Sequence, residues 1–322
     1  MAYRTDTVVI PAETAMFYDK NLLLRVVPLL VHSKWAQVRD IPRKAGSTQI
    51  KFRRYGSLSA ATTPLSEGVT PVGSTLSVTD ITATVAQYGD FVTVTDVLDF
   101  TSEDPILTET GEILGDQAAD TLDQLTRDIL TAGTNKYYAT GTTRVEQSAS
   151  YPITTTLIDK SVRLLKNNKA RKITSMINAT DGVGTLPLNA CFIGIIHPNV
   201  AYTLKTLTGF IKVEQYPNKS DVMPGEIGSY GEVRFIESTN AKIFAGLGAG
   251  GVDVYGTLIF GQQAYGITRI SGEALKNIVK PLGSGGTADP LDQRATSGWK
   301  ATFVAKILNN DFIVRVECGV VA

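Results

Sequence analysis

Residues 48–95 read as two strands joined by a wide turn, and a single subunit of this size offers no obvious surface on which to bury such an arm. In 48–55, Ile50 and Phe52 fall on one face and Lys51 and Arg53 on the other, the alternation of a half-exposed strand with a cationic side. The turn at 57–74 carries Pro64, Gly68, Pro71 and Gly73, residues that fix or free φ. Beyond it Leu76 and Val78 share one parity while Ile81, Ala83 and Val85 share the other, so a bulge or kink near Thr79 and Asp80 is expected. Residues 75–88 alone would extend roughly 45 Å at about 3.3 Å per residue. A two-stranded ribbon of this kind is marginal in water and its edges invite pairing, so the arm calls for a second copy to lie on.

A helix follows the arm. Asp104 suits its N-cap and Pro105 its first position, and Ile106, Ile113, Leu114, Ala118, Leu122, Leu125 and Ile129 recur at helical spacing, with Gly133 past the end. Residues 105–132 would make a rod of about 42 Å. Gly111 and Gly115 each cost roughly 1 kcal/mol relative to alanine, which a close backbone approach would repay; a kink is the alternative. Asp116, Asp120 and Asp123 fall among the polar residues opposite the leucines, the pattern of a solvated or protein-facing acidic stripe and not of a catalytic acid–base pair.

The rest mixes helix and strand, so the fold class expected is α+β with a projecting arm. Helices are expected at 156–167 and from Pro198 to 207, with a broken helix at 17–35, and strands at 191–196, 233–237, 242–245 and 252–260. A Gly/Ser-rich loop at 282–298 leads to a final hairpin of 299–308 and 312–318, turned by Asn309, Asn310 and Asp311.

Charge is balanced overall, 31 basic against 31 acidic residues, so no net pull toward a membrane or nucleic acid exists. It is segregated along the chain. From Lys20 to Arg54 nine basic residues face only Asp40, and from Glu103 to Asp128 eight acidic residues face only Arg127. Such a basic front and acidic middle suit head-to-tail contact between copies, with Lys51, Arg53, Arg54 and Tyr55 of the arm set against Asp116, Asp120 and Asp123 of the helix; two separately solvated faces are the plain alternative. Cys191 and Cys318 lie far apart in apolar strand contexts and read as buried free thiols. The first residues lack a signal-peptide pattern and the run at 22–31 is too short to span a bilayer, so folding in a cytoplasm is expected.

Catalytic and cofactor motifs find little support. Gly246-Leu247-Gly248-Ala249-Gly250-Gly251 has the letters of a dinucleotide fingerprint, but 252–260 reads as a strand where the pyrophosphate needs a helix N-terminus, so a hairpin turn is the better reading. His32 and His197 have no metal-ligand spacing and read as structural, His197 flanking the helix start at Pro198. The basic run Arg163, Lys166, Lys169, Arg171 and Lys172 has no aromatic interleaved to stack bases. Neither catalysis, cofactor nor metal is expected.

Several short motifs, in order, resemble the major capsid proteins of tailed bacteriophages with the Hong Kong 97-like fold, most closely the branch typified by the coat protein of the podophage N-four. They are the tip Thr63-Pro64-Leu65-Ser66-Glu67-Gly68-Val69-Thr70-Pro71, the return Gln87-Tyr88-Gly89-Asp90-Phe91-Val92, then Leu114-Gly115-Asp116-Gln117-Ala118-Ala119, Ile195-Ile196-His197-Pro198, Gly225-Glu226-Ile227-Gly228 and Asp289-Pro290-Leu291. The resemblance implies an N-terminal arm (1–47), an extended loop (48–95), a spine helix and peripheral domain (96–150), an axial domain (151–280) and a return hairpin in the peripheral domain (281–322). It also implies a homo-oligomer of pentamers and hexamers in an icosahedral shell around double-stranded DNA, with non-specific DNA contact, separate scaffold, portal and decoration proteins, assembly in the bacterial cytoplasm and residence in the virion. On this reading Pro64, Glu67 and Pro71 at the tip join the inter-subunit contact. An encapsulin-like nanocompartment shell is the nearest rival, and a soluble α+β enzyme with an unrecognised site is the rival of another class.

Overall fold

The computed structural model describes residues 30–44, 47–56, 58–65, 67–101, 106–179, 183–216, 222–285 and 289–320. In chain order come β1 (Gln37–Ile41), β2 (Gln49–Tyr55), β3 (Val78–Thr84), β4 (Ala86–Thr95), the helices α1 (Asp96–Thr101) and α2 (Ile106–Thr131), and β5 (Lys136–Tyr138). Then follow α3 (Thr155–Asn167), β6 (Ile173–Ala179), β7 (Val183–Ile196), α4 (Pro198–Leu204), β8 (Ile211–Lys212), β9 (Glu226–Tyr230), β10 (Val233–Glu237) and β11 (Ile243–Phe244). The chain continues through β12 (Val254–Phe260), β13 (Tyr265–Ile270), β14 (Leu275–Lys280), β15 (Arg294–Ile307) and β16 (Ile313–Cys318).

The strands form a nine-stranded sheet along β5-β16-β12-β7-β10-β9-β8, with β11 added to β12 and β6 to β7. A five-stranded sheet runs β1-β13-β15-β14 with β4 on β15, and β2 and β3 make a separate ribbon. Every residue of β12 and β16 is buried, the near-continuous apolar pattern of strands covered on both faces. On one face Phe192, Phe235, Ile259 and Val316 receive Leu157, Ile158 and Leu165 of α3 and Val200 and Leu204 of α4. On the other, Ile193, Ile195 and Phe260 pack with Trp35, Tyr265 and Leu130.

The long helix α2 joins the two sheets. Leu114, Ala118 and Leu122 lie on Ile267, Trp299, Ala301 and Phe303 of the five-stranded sheet, while Leu130 enters the core of the larger one. Its 26 residues span about 39 Å. Thr110, Thr121 and Thr126 would be costly in so packed a helix, but each donates its hydroxyl to the carbonyl four residues back. The helix closes as Gly133 donates its N–H to the Leu130 carbonyl.

Several expectations change. Ile113 and Ile129 are exposed, so the apolar stripe is narrower than the spacing suggests. The helix runs unbroken through Gly111, and no atom lies within 4 Å of where a Cβ would sit there, so neither a kink nor a close neighbour within the subunit explains that glycine. α4 ends at Leu204, short of 207. Residues 30–36 form turns and not helix; the rest of the broken helix, most of the N-terminal arm (1–29) and the helix start at Asp104 and Pro105 lie outside the described residues.

The final hairpin is replaced. β15 and β16 are not paired: β15 begins at Arg294, inside the expected loop, and serves the five-stranded sheet, while β16 serves the nine-stranded one. A boundary at 280 likewise cuts across the five-stranded sheet, because β13 and β14 pair on β1 and β15. β2 and β3 pair in unbroken register from Gln49↔Thr84 to Tyr55↔Val78, so no bulge occurs at Thr79 or Asp80; the interruption is Val85, between β3 and β4. The projecting loop is also shorter than 48–95, because all of β4 is zipped to β15.

Other expectations hold. Cys191 and Cys318 are free and buried, and burial pushes their thiols up to about 11 and about 12. The glycine-rich segment turns β11 into the antiparallel β12, with the Gly248 N–H on the Val252 carbonyl. His197 caps α4 by accepting the Asn199 N–H through Nδ1, and burial holds its pKa below the usual value.

Candidate subunit-contact surface

The loop is fastened at its base and free at its tip. Phe52 is buried where Gly266 leaves room: a Cβ on that glycine would sit 3.2 Å from the Phe52 ring and 3.1 Å from Leu308. Arg54 donates to the Asn309 side-chain oxygen at 2.5 Å and lies 3.8 Å from Asp311, anchoring the ribbon to the turn before β16. Arg53 faces Asp80 in register and donates to it at 3.2 Å. Beyond the Gly56–Ser77 backbone bond, the described residues from 58 to 76 bond only among themselves, through Thr62 to Ala60. There Leu58, Leu65, Val69, Val72 and Leu76 are all exposed, Val72 at 98%.

Between the ribbon and the body lies a cleft of ≈ 1090 Å³, lined by Arg39, Lys51, Arg53, Arg54, Lys169 and Arg171 with Asp311 as its acid. The structure thus brings Lys51, Arg53, Arg54 and Tyr55 of the loop base together, and holds Pro64, Glu67 and Pro71 apart from them on the exposed tip.

The helix carboxylates do not form one stripe. Asp123 is fully buried and faces inward. It accepts the Val31 and His32 backbone N–H groups at 2.9 and 2.7 Å, and His32 Nδ1 lies 2.7 Å away. Tyr265 donates its hydroxyl to the His32 carbonyl, and its burial drives the phenol pKa well above the ordinary value. Asp123 is therefore an internal anchor that ties residues 31–32 to α2, a correction to its reading as an inter-subunit contact. Asp120 is exposed and accepts from Asn240 at 3.0 Å, and Asp116 is half-buried. Asp128 takes Lys242 at 2.8 Å and Arg127 at 3.0 Å. Asp123 and Asp128 are thus satisfied inside the subunit.

A relay that residue spacing did not reveal secures β4. The Trp299 indole N–H donates to Gln117 at 3.0 Å, and Gln117 donates to Asp90 at 2.6 Å, linking β15, α2 and β4. The Gln117 and Phe91 N–H donors hold the Asp90 carboxyl below its ordinary range. A Gln and an Asp separated by a helix start carry no local signal for this. Among the described residues no group of His, Cys, Asp and Glu is placed to hold a metal ion, and no helix is long and apolar enough to cross a membrane.

A family model described as phage capsid protein matches residues 78–316. No curated protein sequence matches the chain. Among solved structures, the capsid of Ralstonia phage GP4 is similar with a TM-score of 0.69 at 12% identity, covering 91% of this chain and 90% of that one. The head of Helicobacter pylori bacteriophage KHP40 gives 0.66 at 11% identity over 92% and 90%. The capsid asymmetric unit of cyanophage Pam1 gives 0.62 at 16% identity over 92% of both chains.

Proposed function

The chain belongs to the phage capsid protein family and, with the Hong Kong 97-like fold, is a major capsid protein of the icosahedral shell; from that premise we propose that its copies assemble as pentamers and hexamers around double-stranded DNA, each projecting loop clasping the next subunit. One observation carries the clasp: a loop anchored at Phe52 and Arg54 holds five large apolar side chains in water. Isolated exposed apolar residues are ordinary, but a run of them on a ribbon without its own core marks a contact surface. Lys51 and Tyr55 at the base and Pro64, Glu67 and Pro71 at the tip face the neighbour. α2 with the five-stranded sheet forms the peripheral part, and the nine-stranded sheet, including β16, the axial part. Scaffold, portal and decoration proteins are separate chains, assembly takes place in the host cytoplasm, and DNA contact is non-specific.

The test is a chain in which residues 59–75 are replaced by a short Gly-Ser link, expressed beside the full chain with any scaffold supplied. Sedimentation and negative-stain microscopy are expected to find shells from the full chain and only soluble subunits, with unchanged melting temperature, from the shortened one. Shells from the shortened chain would overturn the clasp.

A further inference from the structure

The five-stranded sheet is covered on both faces at β13, where Phe52 of the ribbon lies against Gly266, but on one face only across β4, the first half of β15 and β14. α2 packs against Trp299, Ala301 and Phe303, leaving the alternate residues of β15 and its neighbours facing outward. In register across β4, β15 and β14 lie Phe91, Gly298 and Ile278, so two exposed apolar side chains flank a glycine. The glycine is obligatory, since a Cβ there would meet the Phe91 Cβ at 2.7 Å and the Asp90 carbonyl at 2.9 Å. Gly89, one rung away on the same face, is equally confined, its Cβ position 2.6 Å from the Trp299 carbonyl. Bare backbone therefore floors a dimple of ≈ 620 Å³. At its rim stand Lys280 and Lys300, both exposed and neither in an ion pair among the described residues.

The loop tip offers the complement. Leu65, Val69 and Val72 are exposed around Glu67, the acidic residue of the tip, which also has no ion-pair partner among the described residues. We propose that the loop tip of a neighbouring copy seats in this dimple, its apolar residues between Phe91 and Ile278 and its Glu67 between Lys280 and Lys300. The inference rests on the clasp reading above and names the surface that receives it. Apolar contact supplies the burial, and the carboxylate between two lysines fixes the register, as charged groups at a contact generally do more for orientation than for affinity.

Three variants and a crosslink test it. Glu67→Lys should lower the yield of shells about tenfold, since a weak contact repeated around a closed ring is amplified. Lys280→Glu with Lys300→Glu should do the same, and the combined triple variant should restore shells. Circular dichroism checks that each subunit is folded. Separately, Val69→Cys with Ile278→Cys should give an intermolecular disulfide ladder on oxidation, the native thiols being buried. Normal shells from Glu67→Lys, no rescue in the triple variant, or a crosslink that is absent or only within one chain would overturn the docking site while leaving the shell intact. Failure of the unmodified chain to form shells with its scaffold would instead remove the clasp, and this inference with it.

Discussion

The nine-stranded sheet and the ribbon of β2 and β3 are made from similar strand-forming residues and end in opposite conditions. In the sheet, β12 and β16 are buried at every position, and helices or other strands meet both faces. In the ribbon, only Phe52 and Ala83 are buried, and none of the described residues between Tyr55 and Val78 is. Burying a valine or leucine side chain contributes roughly 1.5–3 kcal/mol. The sheet collects this within one subunit; the loop can collect it only from a neighbour, less what ordering the interface costs. One chain therefore holds a finished part and an unfinished part, and in the clasp proposed above the unfinished part specifies assembly.

Substitutions can break or sharpen this contrast. The largest effect on stability is expected inside the body. Asp123→Ala would leave two backbone N–H groups and His32 without their acceptor, costing about 3–5 kcal/mol, and a urea midpoint close to the parent would contradict the anchor role. At the boundary, Arg54→Ala removes contacts from a side chain 47% exposed, so about 1 kcal/mol or less is expected, together with faster cleavage of the loop in limited proteolysis. The smallest effect belongs to the tip. Val72→Ser should change subunit stability by no more than about 0.5 kcal/mol, yet lower shell yield; a tip that melted the subunit would end the contrast.

Local signals in the sequence carried the long helix, α3, the ribbon, β10 and the glycine turn, because each depends on periodicity or turn chemistry within a few residues. What failed depended on partners far along the chain. Asn309 to Asp311 has the composition of a hairpin turn, and nothing local says that its flanking strands pair in different sheets. Asp123 looks like its neighbours Asp116 and Asp120 until His32, 91 residues earlier, is placed beside it. The start of β15 was hidden because its buried positions are small, Ala295, Ser297 and Gly298, and at Gly298 β4 approaches too closely for any side chain. The dimple could not be read at all, since Phe91, Ile278 and Gly298 meet only through register.

β4 follows the loop with only Val85 between β3 and itself, and along its whole length it is zipped antiparallel to β15, from Ala86↔Phe303 to Thr95↔Arg294. Tension pulled through a clasped loop enters β4 at its first residue and runs along the strand. The ladder is then loaded in shear, so its rungs must yield together and cannot be peeled off one at a time. A shell swollen by pressure from within would thus pass its load from subunit to subunit through the strongest direction of a sheet.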